Sequence, residues 1–484
     1  MNTKTAWLVL LLSLPWLPDA ALVHGQSATG VTGRQNAWAQ HVRMKGSPTA
    51  GDLVWRAVGP RLQGGRIEAI AVVPGDPSTM YVGPGSGNLW KTRDAGMSWT
   101  PIFESESAFA IGDIALAPSN PDHVWVGTGE TQPRHSGYSY AGTGIFKSTD
   151  AGATWRHMGL WDTHHIGKVV VHPLDPETVY VAAIGHFWSS NKERGVFRTT
   201  DGGKSWEKVL FISERTGVVD LIIDPLAPDK LYAWAWQVTK GDESGLYTST
   251  DGGTSWSKTT RGLPKGPMGR AGLDIFTGDT SILYAFIDDH SPYSGPAKRG
   301  RRRAIVGGSV YRSDDGGESW RRVNEEDLYK VYTVYGWKFC DIRVSPDDAN
   351  EIYILGNRAF RSIDGGRSFK PIGEQILRLH DTQGEVMHLD HHELWINPKN
   401  SGHLVLGNDG GTFVSRDHGE TWLHLNTLPI GEFYFVGIDD QDPLTIYGGT
   451  QDNGALYGPA RSIDPFKNDP WQHVYLDQWT GGDA

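Results

Sequence analysis

The densest group of chemically versatile side chains is the run from Asp390 to Glu393, in which two carboxylates flank two imidazoles. His388 precedes this run by two residues, so His388, Asp390 and His392 would share one face if the stretch were a strand. Imidazole and carboxylate groups on one face can bind Zn²⁺ when another element adds a ligand. The same groups can instead contact a polar ligand, or they can be solvated or hydrogen-bonded to other parts of the protein in a structural role. We expect no bound metal and no cofactor.

Polar side chains also stand at the starts of several other apolar segments, where a plain core would not need them. They are Arg66, Glu68, Asp113, His164, His165, Lys168, Asp220, Arg270, Asp274, Asp341 and Arg343. If these segments are equivalent strands around one axis, the side chains collect at one end of a central channel. Convergent polar groups in a concavity are typical of a binding site.

Such a site favours one of two activities. Glycoside hydrolysis needs two carboxyl groups, roughly 5 Å apart for retention or 6.5–9.5 Å apart for inversion. We predict Asp113, Asp341 and Asp390 as its catalytic candidates, and the sequence leaves open whether the chain is an enzyme. The same channel mouth can instead hold a ligand without catalysis. Its predicted ligand contacts are Arg66, Glu68, His165, Arg270, Arg343, His391, His392 and Asp452.

One eight-residue turn organises the segments that carry these residues. A copy reads Ser249-Thr250-Asp251-Gly252-Gly253-Thr254-Ser255-Trp256, in which the aspartate can bond its own backbone and the glycines can adopt positive φ. The turn recurs at intervals of 49 to 64 residues, with its aspartate at Asp94, Asp150, Asp201, Asp251, Asp315, Asp364 and Asp417. Seven equivalent carboxylates indicate a structural role, so we do not expect them to be catalytic.

Each repeat contains four short apolar stretches, which is typical of a propeller blade. We predict an all-β fold, a β-propeller of seven or eight four-stranded antiparallel blades over residues 53–476. The unit that begins at Phe433 is completed either by a strand near Trp471 or by one near Trp55, and the second alternative gives eight blades. Residues 477–484 resemble the start of a further repeat, so we expect the chain to be a fragment.

The turn pattern S/T-x-D-x-G-x-T/S-W resembles the Asp-box, or BNR repeat. Six copies end in Trp and the copy at Asp364 ends in Phe369, and the resemblance covers about residues 60 to 457. The Asp-box family includes bacterial sialidases, xyloglucanase-type glycoside hydrolases, photosystem assembly factors and the sortilin N-terminal domain. The resemblance therefore implies a propeller and says little about function. A sialidase is disfavoured, because Arg66-Ile67-Glu68 stands where sialidases carry Arg-Ile-Pro.

Five further motifs resemble large exported bacterial proteins that are described as sortilin-like or as BNR-repeat glycosyl hydrolases. The motifs are Gln63-Gly64-Gly65-Arg66-Ile67, Gly127-Thr128-Gly129-Glu130, the stretch 389–395, the stretch 406–411 and Gln451-Asp452-Asn453-Gly454. This resemblance implies a protein- or glycan-binding scaffold, with a glycoside hydrolase as the alternative. Sortilins carry a cysteine-rich region after the propeller, whereas this chain has the single cysteine Cys340.

Composition and the N-terminus indicate compartment and partners. The formal net charge of −11 argues against a nucleic-acid partner. Lys4, an apolar run from Ala6 to Trp16 and small residues up to Gly25 predict a signal peptide over residues 1–25. We expect a flexible leader over 26–52 and no membrane span after signal removal. The protein should be a secreted or periplasmic monomer that binds a polysaccharide or a protein.

Overall fold

The computed structural model describes residues 30–46, 58–60, 65–132, 139–238, 241–295, 304–332, 335–373, 376–378, 387–461 and 470–474 of the 484 residues. The chain divides into two compact units, residues 1–54 and 55–484. The predicted signal peptide, the segment at Trp55 and the predicted further repeat over 477–484 lie outside the described residues.

The first unit contains helix α1 (Val31–Lys45), where the sequence predicted a flexible leader. No residue of α1 is buried, so the helix has no apolar face that a periodic pattern would reveal. Arg43 and Lys45 in the last turn favour the helix through its dipole, because the C-terminal end carries partial negative charge.

The second unit consists of eight sheets, each built from consecutive antiparallel strands. The first sheet contains β1 (Ile67–Val73), β2 (Asp76–Pro84), β3 (Trp90–Thr92) and β4 (Thr100–Pro101). The second contains β5 (Ile111–Ala117), β6 (Asn120–Thr128), β7 (Ile145–Ser148) and β8 (Arg156–His157). The third contains β9 (Ile166–Val171), β10 (Val179–Ala183), β11 (Gly195–Thr199) and β12 (Glu207–Leu210). The fourth contains β13 (Thr216–Ile223), β14 (Leu231–Gln237), β15 (Gly245–Ser249) and β16 (Ser257–Thr259).

The remaining sheets repeat this order, with one addition. The fifth contains β17 (Met268–Ile275), β18 (Leu283–Pro292), β19 (Ile305–Ser313) and β20 (Arg321–Arg322), and the short helix α2 (Tyr329–Tyr332) follows it. The sixth contains β21 (Asp341–Val344), β22 (Ile352–Leu355), β23 (Phe360–Ser362) and β24 (Lys370–Pro371). The seventh contains β26 (His391–Ile396), β27 (Leu404–Asn408), β28 (Gly411–Ser415) and β29 (Trp422–Leu425), and β25 (Ile376–Arg378) pairs with β29 in parallel. The eighth contains β30 (Phe433–Ile438), β31 (Thr445–Thr450), β32 (Gly454–Pro459) and β33 (Gln472–Val474).

Seven sheets close a ring. Their first strands contact one another in the order β1, β5, β9, β13, β17, β21 and β26, and β26 contacts β1 again. At this closure Ile67 and Val82 pack with Val405 and Val414. The predicted β-propeller is confirmed, and the ring closes at seven blades. The eighth sheet, whose fourth strand is β33, is not one of the seven sheets whose first strands contact one another around the ring.

Neighbouring blades pack through glycines that leave no room for a side chain. A Cβ on Gly83 would lie 2.4 Å from Ile111 of the next blade, and a Cβ on Gly127 would lie 2.4 Å from Ile166. At these two boundaries the first strand of the following blade therefore inserts an isoleucine against bare backbone of the preceding second strand. This close approach brings the inner strands together around the axis.

The repeated turns form the same hydrogen bonds in every blade. In the copy at Asp251, Oδ1 accepts hydrogen bonds from Ser249 Oγ at 2.8 Å and from the Ser255 amide at 2.8 Å, while Oδ2 accepts one from Ser255 Oγ at 2.6 Å. These bonds hold the pKa of Asp251 down at about 2. All carboxylate oxygens are thus used within the turn, which explains why seven copies are alike.

The alternating strand directions give the ring two distinct ends. Each first strand starts at one end, which also holds the loops that follow second and fourth strands; we call it the mouth end. The opposite end holds the loops that follow first strands and the Asp-box turns that follow third strands; we call it the turn end. The predicted site residues at the starts of first strands therefore belong to the mouth end.

Candidate functional site

A layer of charged side chains crosses the central channel. Lys168, Asp220, Arg343 and Glu393, here called the channel plug, line both the cavity on the mouth side and the cavity on the turn side. Arg343 pairs with Glu393 and with Asp341, both at 2.5 Å. Lys168 Nζ lies 3.7 Å from Glu393 Oε2 and 3.4 Å from Asp113 Oδ1. The plug thus joins blades 2, 3, 6 and 7 by ion pairs.

The carboxylates beside the plug also bond to the backbone of the next blade. Asp113 Oδ2 accepts from the Val169 amide, and Asp220 Oδ2 accepts from the Leu273 amide, each at 2.7 Å. Asp274 Oδ2 accepts from an amide of blade 6 in the same way. Burial raises the pKa of Asp113 to about 6 and that of Asp341 to about 7, against the opposing effects of Lys168 and Arg343. These groups therefore hold the blades together.

The two cavities beside the plug differ in size and lining. The mouth-side cavity has a volume of about 70 Å³ and is lined by polar groups that include Glu68, Arg270 and His391. This volume is well below the roughly 300 Å³ of small ligand pockets. The turn-side cavity has a volume of about 310 Å³, and Ile70, Trp395 and other apolar side chains line much of it. The space between the plug and the mouth is therefore small and polar, whereas the space on the turn side is larger and more apolar.

Arg66 is the centre of a buried cluster at the mouth end. Its guanidinium lies 2.6 Å from Glu130 Oε1, 3.6 Å from Glu68 Oε1 and 3.5 Å from Glu432 Oε2. Glu68 also accepts a hydrogen bond from the Thr131 amide at 2.9 Å. Burial raises the pKa of Glu130 to about 8, although Arg66 opposes the shift. The cluster ties blade 1 to blade 2 and to the start of the eighth sheet.

His392 belongs to a second buried chain of hydrogen bonds. Its Nδ1 lies 2.8 Å from Gln132 Nε2, and its Nε2 lies 2.5 Å from Asp409 Oδ1. Gln451 of the eighth sheet donates to Asp409 Oδ2 at 2.6 Å. Burial acts to raise the pKa of Asp409, but Lys338 and His392 outweigh it and hold that pKa well below its usual range. His392 is thus held by partners on both ring nitrogens.

Asp390 lies in a more accessible group of three carboxylates. The ligand oxygens of Asp390, Asp409 and Asp452 lie within 4.8 Å of one another, and Asp390 and Asp452 are half-buried. Lys338 Nζ pairs with Asp390 Oδ2 at 3.0 Å, so an ammonium group already balances part of this negative charge. Asn357 donates to the other oxygen of Asp390 at 2.5 Å.

The expectation that His388, Asp390 and His392 share one face of a strand is wrong. Strand β26 begins at His391, and Asp390 has φ of 63°, a left-handed conformation that no strand residue adopts. His388 Nε2 contacts the Asp452 carbonyl at 2.9 Å, whereas His392 contacts Asp409. The three side chains therefore do not form the zinc set that alternation would produce.

The other predicted contacts divide between cavity and core. Arg270 lines the mouth-side cavity, donates to the Thr131 carbonyl at 2.7 Å and stacks over Trp236. His391 lines the same cavity, and burial lowers its pKa to about 3. His165 is buried against Phe187, and its Nδ1 lies 2.7 Å from the Glu130 carbonyl. His165 therefore supports the mouth without lining its cavity.

Sequence reasoning missed several members of these networks. Glu130 and Asp409 occur in motifs that carry the resemblance, but they lie on loops after second strands, whereas the predicted residues, apart from Asp452, lie at or just before the starts of first strands. Lys338 precedes β21 in a loop without a repeat signature. If the loops after β2, β6 and β27 are compared as equivalent positions, Glu130 and Asp409 stand out as candidates.

Exposed aromatic side chains of the seven blades lie at the mouth end, within the described residues. They are Phe109, Tyr140, Trp188, Phe211 and Tyr335, and all lie on loops that follow second or fourth strands. The large exposed side chains at the turn end are instead aliphatic, namely Met97, Leu174, Leu226 and Ile363. The mouth end therefore offers flat apolar surfaces around a polar centre.

No helix in the described part of the chain has the length and apolar character needed to cross a bilayer.

Comparisons with known proteins support this architecture. The family model described as "Sortilin, neurotensin receptor 3" matches residues 143–270. A probable oligoxyloglucan-reducing end-specific xyloglucanase from Neosartorya fischeri is 28% identical over 160 residues, which cover 29% of this chain and 17% of that protein. A Paenibacillus xyloglucanase is 23% identical over 168 residues, which cover 32% of this chain and 15% of that protein. The chain thus matches less than a fifth of each relative.

A solved structure extends the likeness across the propeller. The GH74 xyloglucanase from Xanthomonas campestris superposes with a TM-score of 0.58 at 16% identity, covering 88% of this chain and 69% of that chain. This likeness concerns the fold. The resemblance to sortilin-like and xyloglucanase-like Asp-box propellers is confirmed.

Proposed function

We propose that this chain is an exported binding propeller whose mouth end takes a xyloglucan-type polysaccharide. The supporting observation is the set of five exposed aromatic side chains at that end, in contrast to the aliphatic side chains at the turn end. Flat aromatic faces stack on the apolar faces of sugar rings, and a polar centre can bond to hydroxyl groups. Sequence relatives named as xyloglucanases support the choice of polysaccharide.

Binding without hydrolysis is favoured by the state of the predicted catalytic groups. Asp113 is buried and holds the Val169 amide, and Asp341 is paired with Arg343. The mouth-side cavity that both line has a volume of about 70 Å³, well below that of typical ligand pockets. In this proposal these carboxylates stabilise the ring of blades, and the polysaccharide contacts the rim of the mouth end.

The experiment measures binding of soluble xyloglucan to the full chain by affinity gel electrophoresis. Stacking contributes about 1–3 kcal/mol per aromatic residue by analogy with nucleic-acid bases, so Phe109→Ala and Trp188→Ala should each weaken binding about 5- to 150-fold. The matched controls Leu174→Ala and Leu226→Ala remove exposed apolar side chains at the turn end and should bind as wild type. Equal binding by all four variants would contradict the proposal, and a wild-type chain that binds only a protein ligand would favour the sortilin-like alternative.

A glycoside hydrolase is the second candidate, and one observation favours it. Asp390 and Asp452 have carboxylate oxygens within 4.8 Å and are both half-buried, which resembles the roughly 5 Å spacing of retaining enzymes. Release of reducing ends from xyloglucan by the wild type, abolished in Asp390→Asn and Asp452→Asn, would establish this activity. Binding without release of reducing ends would establish the scaffold.

A further inference from the structure

We propose that Asp162, His164 and His186 form a binding site for a divalent transition metal, with Zn²⁺ as its ion. This inference goes beyond polysaccharide binding and does not depend on it. The three residues lie on two neighbouring mouth-end loops, the loop between β8 and β9 and the loop between β10 and β11. One nitrogen of each imidazole and one oxygen of the carboxylate all lie within 4.8 Å of one another.

The distances fit a shared ion better than direct hydrogen bonds. His164 Nε2 lies 3.8 Å and His186 Nε2 lies 3.7 Å from the same oxygen, Asp162 Oδ1. A hydrogen bond to that oxygen would need about 2.7–3.2 Å. In a tetrahedral site with Zn–N and Zn–O bonds of about 2.0–2.2 Å, the ligand atoms lie roughly 3.4 Å apart. A movement of a few tenths of an ångström therefore brings each nitrogen to ligand spacing from this oxygen.

The backbone of His164 is held in an uncommon conformation that presents this side chain. Its φ is 56°, in the left-handed region that few non-glycine residues adopt. The Gly142 amide donates to the His164 carbonyl at 2.6 Å, and a Cβ on Gly129 would lie 1.9 Å from that carbonyl oxygen. The surroundings thus fix a costly backbone geometry, as is common at functional sites.

The loop that carries His186 is tied to Asp162 and orients the imidazole. The buried side chain of Asn191 donates to the Asp162 carbonyl and accepts from the His186 amide, each at 3.1 Å. Ser189 Oγ lies 2.9 Å from His186 Nδ1, so Nε2 is the nitrogen directed at Asp162. A partner on the second ring nitrogen is a regular feature of metal-binding histidines.

The site is partly exposed, which lets its side chains rearrange around an ion and lets water occupy one position. The two imidazoles stack with centroids 3.5 Å apart and planes inclined by 20°. Because the lone pair of each nitrogen lies in its ring plane, one ring must rotate when the ion binds. The side chains are partly exposed, by 21% for His164 and 34% for Asp162, which permits that rotation. Two imidazoles and one carboxylate suit Zn²⁺ with water as the fourth ligand.

The test titrates the chelator-treated full chain with Co²⁺, followed by absorbance, and with Zn²⁺, followed by calorimetry. The wild type should bind one equivalent and give the intense visible spectrum of four-coordinate Co²⁺. His186→Gln, Asp162→Asn and His164→Asn should lose that spectrum at metal concentrations that saturate the wild type; asparagine at 164 tolerates the positive φ. Ser189→Ala should weaken binding by about 10–100-fold, because it removes the partner of the ligand histidine.

The matched control is His172→Gln, which removes a half-buried imidazole from the end of β9 at the turn end. This variant should bind metal as the wild type does, and circular dichroism should show all variants folded. A wild type that binds no equivalent of either ion would overturn the proposal. So would an unchanged Co²⁺ spectrum in the three ligand variants, or loss of the spectrum in His172→Gln alone.

Discussion

Aspartates at the turn end and aspartates in the channel have opposite pKa shifts and different structural roles. In the turns, hydroxyl and amide donors of one short segment surround the carboxylate, and these bonds hold the pKa of Asp150, Asp251 and Asp315 at about 2. In the channel, burial raises the pKa of Asp113 and Asp274 to about 6, although each holds an amide of the next blade. Turn carboxylates stabilise a local shape, whereas channel carboxylates join blades at an electrostatic cost.

Arg343→Met should have the largest effect, because the arginine neutralises two carboxylates of the channel. Its loss leaves Asp341 and Glu393 without their guanidinium partner in the channel. Removing one partner of a buried ion pair costs about 3–5 kcal/mol, and urea denaturation should show a loss of that order. A loss below about 1 kcal/mol would show that the plug does not hold the blades together.

Asp113→Asn should change the pH dependence of stability. Asp113 binds a proton more tightly in the folded chain, so its contribution to stability is present below about pH 4 and is lost as pH rises through about 6. The wild-type free energy of unfolding should therefore fall more between pH 4 and pH 6 than that of the variant, by up to about 3 kcal/mol. Parallel profiles for the two proteins would contradict the raised pKa.

Asp417→Ala should have a smaller effect with the opposite pH trend. The carboxylate accepts from the Thr421 amide, Thr421 Oγ1 and Ser415 Oγ, and these bonds help to lower its pKa. Its stabilisation is present above about pH 4 and is lost as pH falls through the lowered pKa. We expect a loss of about 1–2 kcal/mol at neutral pH, measured by urea denaturation, that shrinks in acid. Ser415→Ala, which removes one of the donors, should show part of that loss.

Trp188→Ala should leave stability within about 0.5 kcal/mol of the wild type, because the side chain is 64% exposed. Trp188→Ala should thus differ from the channel variants, which should change the free energy of unfolding but leave the rim side chains intact. A large fall in the thermal midpoint would show that Trp188 supports the fold and not a ligand surface.

The fold could be predicted because the same eight-residue turn recurs seven times, and each copy is recognisable from its own sequence. Glycines, aspartate and tryptophan of the Asp-box fix a turn through neighbours in sequence, so no distant contact is needed to recognise it. Ring closure could not be predicted in the same way. It depends on Ile67 packing beside Val405, residues that only the complete ring brings together.

The candidate site was predictable in position but not in role. Most of the polar residues at first-strand starts do meet around the channel, because equivalent blades place them at one level. Whether Asp113 faces a ligand or a backbone amide depends on the neighbouring blade, and the periodic pattern carries no such information. Asp390 also has a left-handed backbone conformation, which interrupts the alternation of side chains from which its strand face was predicted.

The most direct test of the proposed mouth-end surface is hydrogen–deuterium exchange of the full chain with and without a xyloglucan oligosaccharide. Binding at the mouth end should slow exchange in the loops at residues 104–110 and 184–194 and leave exchange at the Asp-box turns unchanged. Protection confined to the turn end, or to the strands around the cavity of about 310 Å³, would contradict it.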